Sequence, residues 1–72
     1  MNQTFYEYMM RFADPEGRDP MTRLANAMHQ DIAFPKHSDD FDKISRYLES
    51  SPEYGKLLVT FDVAWSNYQF EF

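Results

Sequence analysis

The stretch YGKLLVTFDVAWSNYQFEF, residues 54–72, decides how this chain folds. Its large apolar side chains are spaced alternately four and three residues apart, which places them on one side of an α-helix; they are Tyr54, Leu58, Phe61, Trp65, Tyr68 and Phe72. Leu57 and Ala64 make this stripe wider than a two-position coiled-coil seam. The width favours a helix in the core of a globular domain over a homotypic coiled coil.

The same helix carries a second apolar group on its opposite side. At about 100° per residue, Val59, Val63 and Phe70 fall together there. Because one face cannot pack against the neighbours of the other, the helix either lies centrally between other elements or presents a small apolar patch to solvent. Single exposed apolar residues are common, so the simplest interpretation gives these three no function. The alternative is that they form a partner surface.

Three shorter helices are predicted upstream. The first begins at Thr4, because Thr4–Glu7 has the spacing of a capping box, and turn-forming residues at 14–17 end it. The second follows Asp19 as N-cap, with Pro20 in the first helical position. It ends at Phe34-Pro35, since the residue before a proline is disfavoured in the α conformation.

The third helix is predicted to start with Ser38 as N-cap and with Asp39 and Asp40 in its first turn. Ser51-Pro52 then begins the fourth and longest helix, which runs to the C-terminus. The apolar faces predicted for the first three helices are Phe5, Tyr8, Met9 and Phe12; Met21, Leu24, Ala25, Met28 and Ile32; and Phe41, Ile44, Tyr47 and Leu48. No stretch alternates like a strand, so the fold class is all-α, a bundle with a long C-terminal helix.

Size and composition limit the class of protein. Residues 1–72 make one domain. The aromatic content of 18% supplies the dense core that so short a chain needs. There is no cysteine, which excludes disulfides and thiolate chemistry. No apolar run approaches the roughly 20 residues that span a bilayer, and the N-terminus lacks a signal-peptide pattern. We therefore expect a cytoplasmic protein with no membrane contact.

No pattern in the sequence indicates catalysis or a cofactor. His29 and His37 are candidate bases, but no serine lies in a nucleophile motif. A helical zinc site wants histidines four apart, and these are eight apart. Gly17 and Gly55 are the two glycines, so there is no glycine-rich phosphate loop. We expect no enzymatic activity, no metal and no cofactor.

The basic residues are predicted to be engaged already. Four of the seven follow an acid by four residues, the favourable order for helical ion pairs: Glu7–Arg11, Asp19–Arg23, Asp39–Lys43 and Asp42–Arg46. Three scattered cations remain, Arg18, Lys36 and Lys56, which make a poor electrostatic footprint. Together with the net charge of −5, this argues against nucleic acid as a partner.

A series of landmarks extends along the whole chain. They are Phe5–Tyr8, Leu24–Asn26, Asp31, Phe34–Lys36, Tyr47–Glu49 and Phe61–Tyr68. In this order and length the sequence resembles the YozE-like family of small bacterial proteins. The resemblance implies a fold like the sterile alpha motif, a bundle of four or five helices with a long final one. It implies no function, and no catalytic or ligand-binding residue.

The wider fold that this resemblance implies includes both protein-interaction domains and DNA-binding helical hairpins, and the fold alone does not choose between them. The DNA-binding hairpins use a glycine-rich turn, and this chain has no Gly-x-Gly. Head-to-tail association, common among the interaction domains, would bring together the acidic regions 39–42 and 51–53, which is unfavourable.

The leading hypothesis is therefore a protein-interaction or accessory module, a monomer or weak dimer. It would bind an unidentified protein through Val59, Val63 and Phe70 if these are exposed. Nucleic-acid binding is the alternative.

Overall fold

The computed structural model describes residues 3–71. It contains four α-helices, α1 (Phe5–Met10), α2 (Pro20–Gln30), α3 (Phe41–Ser50) and α4 (Leu58–Glu71), with a short 3₁₀ helix (Pro52–Tyr54) between α3 and α4. Helix α4 packs against the other three helices. No strand occurs between residues 3 and 71, and the all-α prediction is confirmed.

The first two helices begin where the capping patterns predict. The Thr4 hydroxyl accepts a hydrogen bond from the Glu7 amide at 3.2 Å, and the Thr4 amide donates to the Glu7 carboxylate at 2.9 Å. These reciprocal bonds satisfy two amides that would otherwise lack partners at the start of α1. At α2, the Asp19 carboxylate accepts from the Thr22 amide, and Pro20 takes the first helical position.

Helix α2 ends four residues before the predicted boundary. The chain becomes extended at Asp31, whose carboxylate accepts a hydrogen bond from the Ala33 amide at 3.0 Å. A side chain that bonds its own following backbone in this way competes with helix propagation. Ile32, predicted to be buried with the α2 stripe, is consequently 93% exposed.

The start of α3 also differs from the prediction. Its N-cap is Asp40, which accepts from the Asp42 amide at 3.0 Å, and the predicted cap Ser38 accepts instead from the Asp40 amide at 3.2 Å. Two consecutive side-chain turns therefore precede the helix. Phe41, predicted to be buried, begins α3 and remains 39% exposed. One side of its ring nevertheless stacks on Phe61, with centroids 5.5 Å apart.

The predicted fourth helix is divided into two elements. Residues 52–54 form the 3₁₀ helix, and regular α-helical structure resumes only at Leu58. Backbone bonds from Gly55 to Pro52 and from Leu57 to Tyr54 span three residues instead of four. This tighter winding separates Tyr54 from the α4 stripe while keeping it fully buried. Phe72, the last residue of the predicted stripe, lies outside the described residues.

The inner side of α4 organises the core as predicted. Phe61, Ala64, Trp65 and Tyr68 are buried there. The ring of Phe5 on α1 lies in the middle of this group, with centroid distances of 5.5 Å to Phe61, 5.0 Å to Trp65 and 5.6 Å to Tyr68. The other buried apolar residues come from α1, α2, the loop after α2, α3 and the 3₁₀ helix: Tyr8, Met9, Leu24, Ala25, Met28, Phe34, Ile44, Leu48 and Tyr54.

Gly17, in the loop before α2, has no room for a side chain. A Cβ at this position would lie 2.3 Å from Cγ2 of Thr22, whose hydroxyl donates to Asp19 at 2.7 Å. We expect Gly17→Ala to lower the free energy of unfolding by about 1–3 kcal/mol, the usual cost of overpacking. Urea denaturation measures this change.

Gly55→Ala is the matched control. A Cβ there would lie at ordinary contact distance, 3.4 Å, from the Pro52 carbonyl oxygen, and the backbone is already helical. Because alanine restricts the unfolded chain, this change should be neutral or stabilising by about 0.4–1 kcal/mol. Equal urea midpoints for the two variants would show that Thr22 moves aside without cost.

Candidate functional site: the outer face of the last helix

The second apolar group of α4 faces solvent. Val59 is 77% exposed, Val63 52% and Phe70 92%. None of the other helices covers this side, because α1, α2 and α3 all pack against the buried face that contains Phe61 and Trp65. The sequence left two arrangements open, a helix central between other elements and an apolar patch exposed to solvent. The structure shows the exposed patch.

Ser66 belongs to the same face and was missed in the sequence analysis. It is exposed, and it falls between Val63 and Phe70 so that the four residues follow one another at spacings of four, three and four. These are the spacings of a helix–helix seam. The signal that could have identified it is position alone, because a serine does not register in a search for apolar residues. We call Val59, Val63, Ser66 and Phe70 the outer face of α4.

The outer face carries no charge of its own. Its flanks present Thr60, Asn67 and Glu71 on one side and Asp62 and Gln69 on the other, so one carboxylate borders it on each side, and that of Glu71 is paired with Arg11. Valine and phenylalanine side chains offer no proton, nucleophile or metal ligand. The chemistry available at this surface is therefore binding by apolar contact, with a serine hydroxyl able to form one hydrogen bond.

The outer face is held in place because α4 is anchored to the rest of the domain. Besides the aromatic packing of its inner side, the Tyr68 hydroxyl donates to the carbonyl of Gln3. At the end of the helix, the Arg11 guanidinium lies 3.4 Å from the Glu71 carboxylate. That ion pair is half exposed and contributes little stability. It does, however, join the last turn of α4 to α1, so the outer face does not depend on a loop for its shape.

A separate cluster, made of polar groups, surrounds Asp31. Its carboxylate accepts hydrogen bonds from the phenols of Tyr47 at 2.6 Å and of Tyr54 at 2.8 Å. The bond from Tyr47, followed by that from Tyr54, lowers the pKa of Asp31. The bond to Asp31 raises the pKa of Tyr47, whereas burial is the main cause that raises the pKa of Tyr54. Since both phenols are engaged as donors, this cluster stabilises the fold and does not resemble a catalytic site.

The Asp31 cluster connects the end of α2, helix α3 and the 3₁₀ helix. In the sequence Asp31 was a landmark without a role, and Tyr54 was assigned only to an apolar stripe. Nothing in the spacing of residues 31, 47 and 54 indicates that their side chains meet.

The two histidines lie in separate surface depressions. His29 lines one of about 470 Å³ beside Asp14 and Asn26, and His37 lines one of about 480 Å³ beside Lys36 and Lys43. Nowhere in residues 3–71 do three histidine, aspartate or glutamate side chains gather closely enough to hold a metal ion. No helix in this part of the chain has the length and apolar character required to cross a membrane.

The four predicted helical ion pairs do not form. Across residues 3–71 the one pair within 4 Å is Arg11–Glu71, and Arg11 therefore bonds a residue of α4 instead of Glu7. Two of the four acids have other partners: Glu7 accepts from the Thr4 amide, and Asp19 accepts from the Thr22 amide and hydroxyl. Helix caps satisfy backbone amides that have no alternative, and exposed ion pairs gain little, so the caps prevail.

Comparisons with known proteins identify the family. A family model described as YozE SAM-like fold matches residues 4–70. A Lactococcus lactis protein, UPF0346 protein YuiB, is 49% identical over 65 residues, 90% of this chain and 94% of its own. UPF0346 protein YozE of Bacillus subtilis is 38% identical over 69 residues, 96% of this chain and 93% of its own. No solved structure matches. The ordered landmarks, the four-helix fold and these matches agree, and the chain belongs to the YozE SAM-like family.

Proposed function

We propose that this protein is a cytoplasmic, non-enzymatic interaction module that binds another protein through the outer face of α4. The observation that carries the proposal is the exposure of Phe70, Val59 and Val63 together on one side of a helix whose other side is fully packed. An exposed aromatic residue in a surface without charge is typical of the centre of protein interfaces, where aromatic residues are enriched and charged ones depleted.

Two further features support the proposal. The outer face is rigid because α4 is held by the core, so little conformational entropy is lost when a partner covers it. The cysteine-free composition suits a reducing compartment, which supports the cytoplasmic placement. The non-enzymatic assignment rests on the missing sequence motifs and on the engaged hydrogen-bonding groups of the Asp31 cluster.

Val63→Lys is expected to abolish partner binding while the domain stays folded. A lysine in the centre of the outer face would have to be desolvated in any complex. In the free protein Val63 is half exposed, and lysine has a higher helix propensity than valine, so stability should change by no more than about 0.5 kcal/mol. The measurement is affinity capture from native lysate with wild-type and variant baits, beside thermal melting of both.

The matched control is Gln30→Lys. It adds the same charge at an exposed position on α2, away from the outer face. Partners retained by this control and lost by Val63→Lys would be specific to the outer face. If both lysine variants capture the same proteins as wild type, the outer face is not the binding surface. A large fall in melting temperature for Val63→Lys would instead assign Val63 a role in the core.

Nucleic-acid binding remains the second candidate, favoured by one observation. One surface depression is lined by Lys36, His37 and Lys43. Neither of these lysines forms an ion pair within 4 Å in the described chain. Opposing it are the net charge of −5 and the acidic residues 39, 40 and 42 that follow directly. Micromolar binding to an oligonucleotide at low ionic strength, weakening as salt is added, would favour this candidate.

A further inference from the structure

We infer that the partner of the outer face is a second copy of this chain, bound with the two α4 helices antiparallel about a two-fold axis. The inference rests on the proposed function, because it names the occupant of the same surface. It differs from head-to-tail association, which joins two unlike surfaces, because here one face meets itself.

The spacing of the outer face is self-complementary in this arrangement. When two α4 helices are aligned antiparallel with their centres between Ala64 and Trp65, Val59 of each copy lies opposite Phe70 of the other. Val63 then lies opposite Ser66 of the second copy. Every seam position thus meets another seam position, which is the requirement of an isologous interface.

The sizes of the side chains also fit. At each end of the seam the large ring of Phe70 meets the smaller Val59, and in the centre Val63 meets the small Ser66. A small residue in the middle lets the two helices approach, so that both rings reach the opposing valines. A parallel alignment would instead place Phe70 against Phe70 at one end and Ser66 against Ser66 in the middle, leaving unequal gaps along the seam.

The charges beside the seam are compatible with the antiparallel register. Asp62 lies across from Gln69 of the second copy, and Thr60 lies across from Asn67, so no two carboxylates are brought together. The helix dipoles also oppose one another in this orientation. What remains unfavourable is the general repulsion between two copies that each carry a net charge of −5.

This interface is small, so the dimer is weak and transient. From Val59 to Phe70 the seam is about 16 Å long. A single-helix seam of this length buries less than the roughly 800 Å² per partner of a stable complex. Because salt screens the repulsion between copies, the dimer should become tighter as ionic strength rises. Binding to nucleic acid has the opposite salt dependence.

Engineered cysteines test the register, because the chain has no cysteine of its own. Val59→Cys and Phe70→Cys copies are mixed and oxidised with glutathione disulfide. We expect a mixed disulfide dimer, which keeps one intact Val59–Phe70 contact on its other side, and at least tenfold less dimer from either variant alone. A disulfide needs Cα atoms within about 7 Å, whereas like positions are about 16 Å apart along the antiparallel seam.

Random collision is controlled by mixing Val59→Cys with Gln30→Cys, whose thiol lies on α2. A mixed yield no higher than this control, or a higher yield from the single variants than from the mixture, would overturn the antiparallel register. Both substituted residues on α4 are largely exposed, so the variants should fold like wild type, as circular dichroism would verify.

Sedimentation equilibrium measures the strength of the association. Ser66→Leu should weaken the dimer at least tenfold by holding the two helices apart, and Val63→Lys should weaken it at least tenfold by placing a charge in the seam. A protein that stays monomeric at millimolar concentration overturns the inference. If Val63-dependent capture of another protein is then observed, the proposed function stands with a different partner; without such capture, both fail.

Discussion

Replacing Phe5 with alanine is expected to leave most molecules unfolded at room temperature. Phe5 is fully buried, and its ring contacts three rings of the α4 inner face, Phe61, Trp65 and Tyr68. Removing a buried phenylalanine ring costs about 3–5 kcal/mol. A single core in a domain this small rarely provides more than about 3–5 kcal/mol in total. The loss is therefore comparable to the whole stability of the fold.

The measurement is urea denaturation followed by far-ultraviolet circular dichroism. Phe5→Leu keeps part of the buried volume and should fold with a lowered midpoint, so that the cost can be quantified even if the alanine variant has no folded baseline. The matched control is Phe70→Ala. It removes the same ring from a 92% exposed position and should change stability by no more than about 0.5 kcal/mol. Similar midpoints for Phe5→Ala and Phe70→Ala would contradict the assignment of the core.

The contrast between these two phenylalanines could be predicted from the sequence. Phe5 begins an apolar series of helical period just after a capping box, whereas Phe70 falls outside the stripe of the last helix. Local patterns of this kind also predicted correctly the caps at Thr4 and Asp19 and the buried positions Phe61 and Trp65. Periodicity and capping depend only on neighbouring residues, so they need no knowledge of the tertiary fold.

The errors arise where long-range contacts override local patterns. The Ser51-Pro52 start was extended into one long helix, but Tyr54 instead donates to Asp31, a residue 23 positions earlier. That bond fixes a 3₁₀ turn and a separate start for α4. Ile32 was assigned to the α2 stripe because its spacing fits, yet the helix ends before it at Asp31. Neither outcome is encoded in the spacing of adjacent residues.

At the candidate site, too, local geometry could be predicted from the sequence and tertiary packing could not. The sequence placed Val59, Val63 and Phe70 on one side of the last helix, because that depends on helical geometry alone. Whether another helix covers that side depends on how all four pack, and only the structure shows that none does. Ser66 completes the seam through its position, which acquires meaning once the face is known to be exposed.

Asp31→Ala is the second change with a large expected effect, a loss of about 2–4 kcal/mol. A hydrogen bond to a charged group is worth about 1.5–3 kcal/mol. Asp31 accepts two from the phenols of Tyr47 and Tyr54, but it is only partly buried, so the two bonds together are worth less than twice this value. Tyr54 is fully buried, so its hydroxyl would keep only the long bond of 3.4 Å to the Ala27 carbonyl. Asp31→Asn retains an acceptor oxygen and should cost less. The control for loss of charge alone is Asp62→Ala, at an exposed position of α4.

The pH dependence of stability identifies the bonds responsible. Because the pKa of Asp31 is lowered on folding, its contribution is complete above its unfolded pKa of about 3.9 and is lost as pH falls through the folded pKa. The raised pKa values of Tyr47 and Tyr54 have the opposite sign: their contribution is complete below about pH 10 and declines above it, by up to about 1.4 kcal/mol per pH unit for each tyrosine.

Urea midpoints of wild type and Asp31→Ala between acid and alkaline pH measure both arms of this dependence. The variant should lose less stability in acid than wild type does. In alkali the stability of the variant should still decline as Tyr54 ionises, because the pKa of Tyr54 is raised mainly by burial. The decline due to Tyr47 should be much smaller than in wild type, because the pKa of Tyr47 is raised mainly by its bond to Asp31. If the urea midpoints of wild type and Asp31→Ala fell equally steeply with decreasing pH, Asp31 would not be the carboxylate that holds α2, α3 and the 3₁₀ helix together.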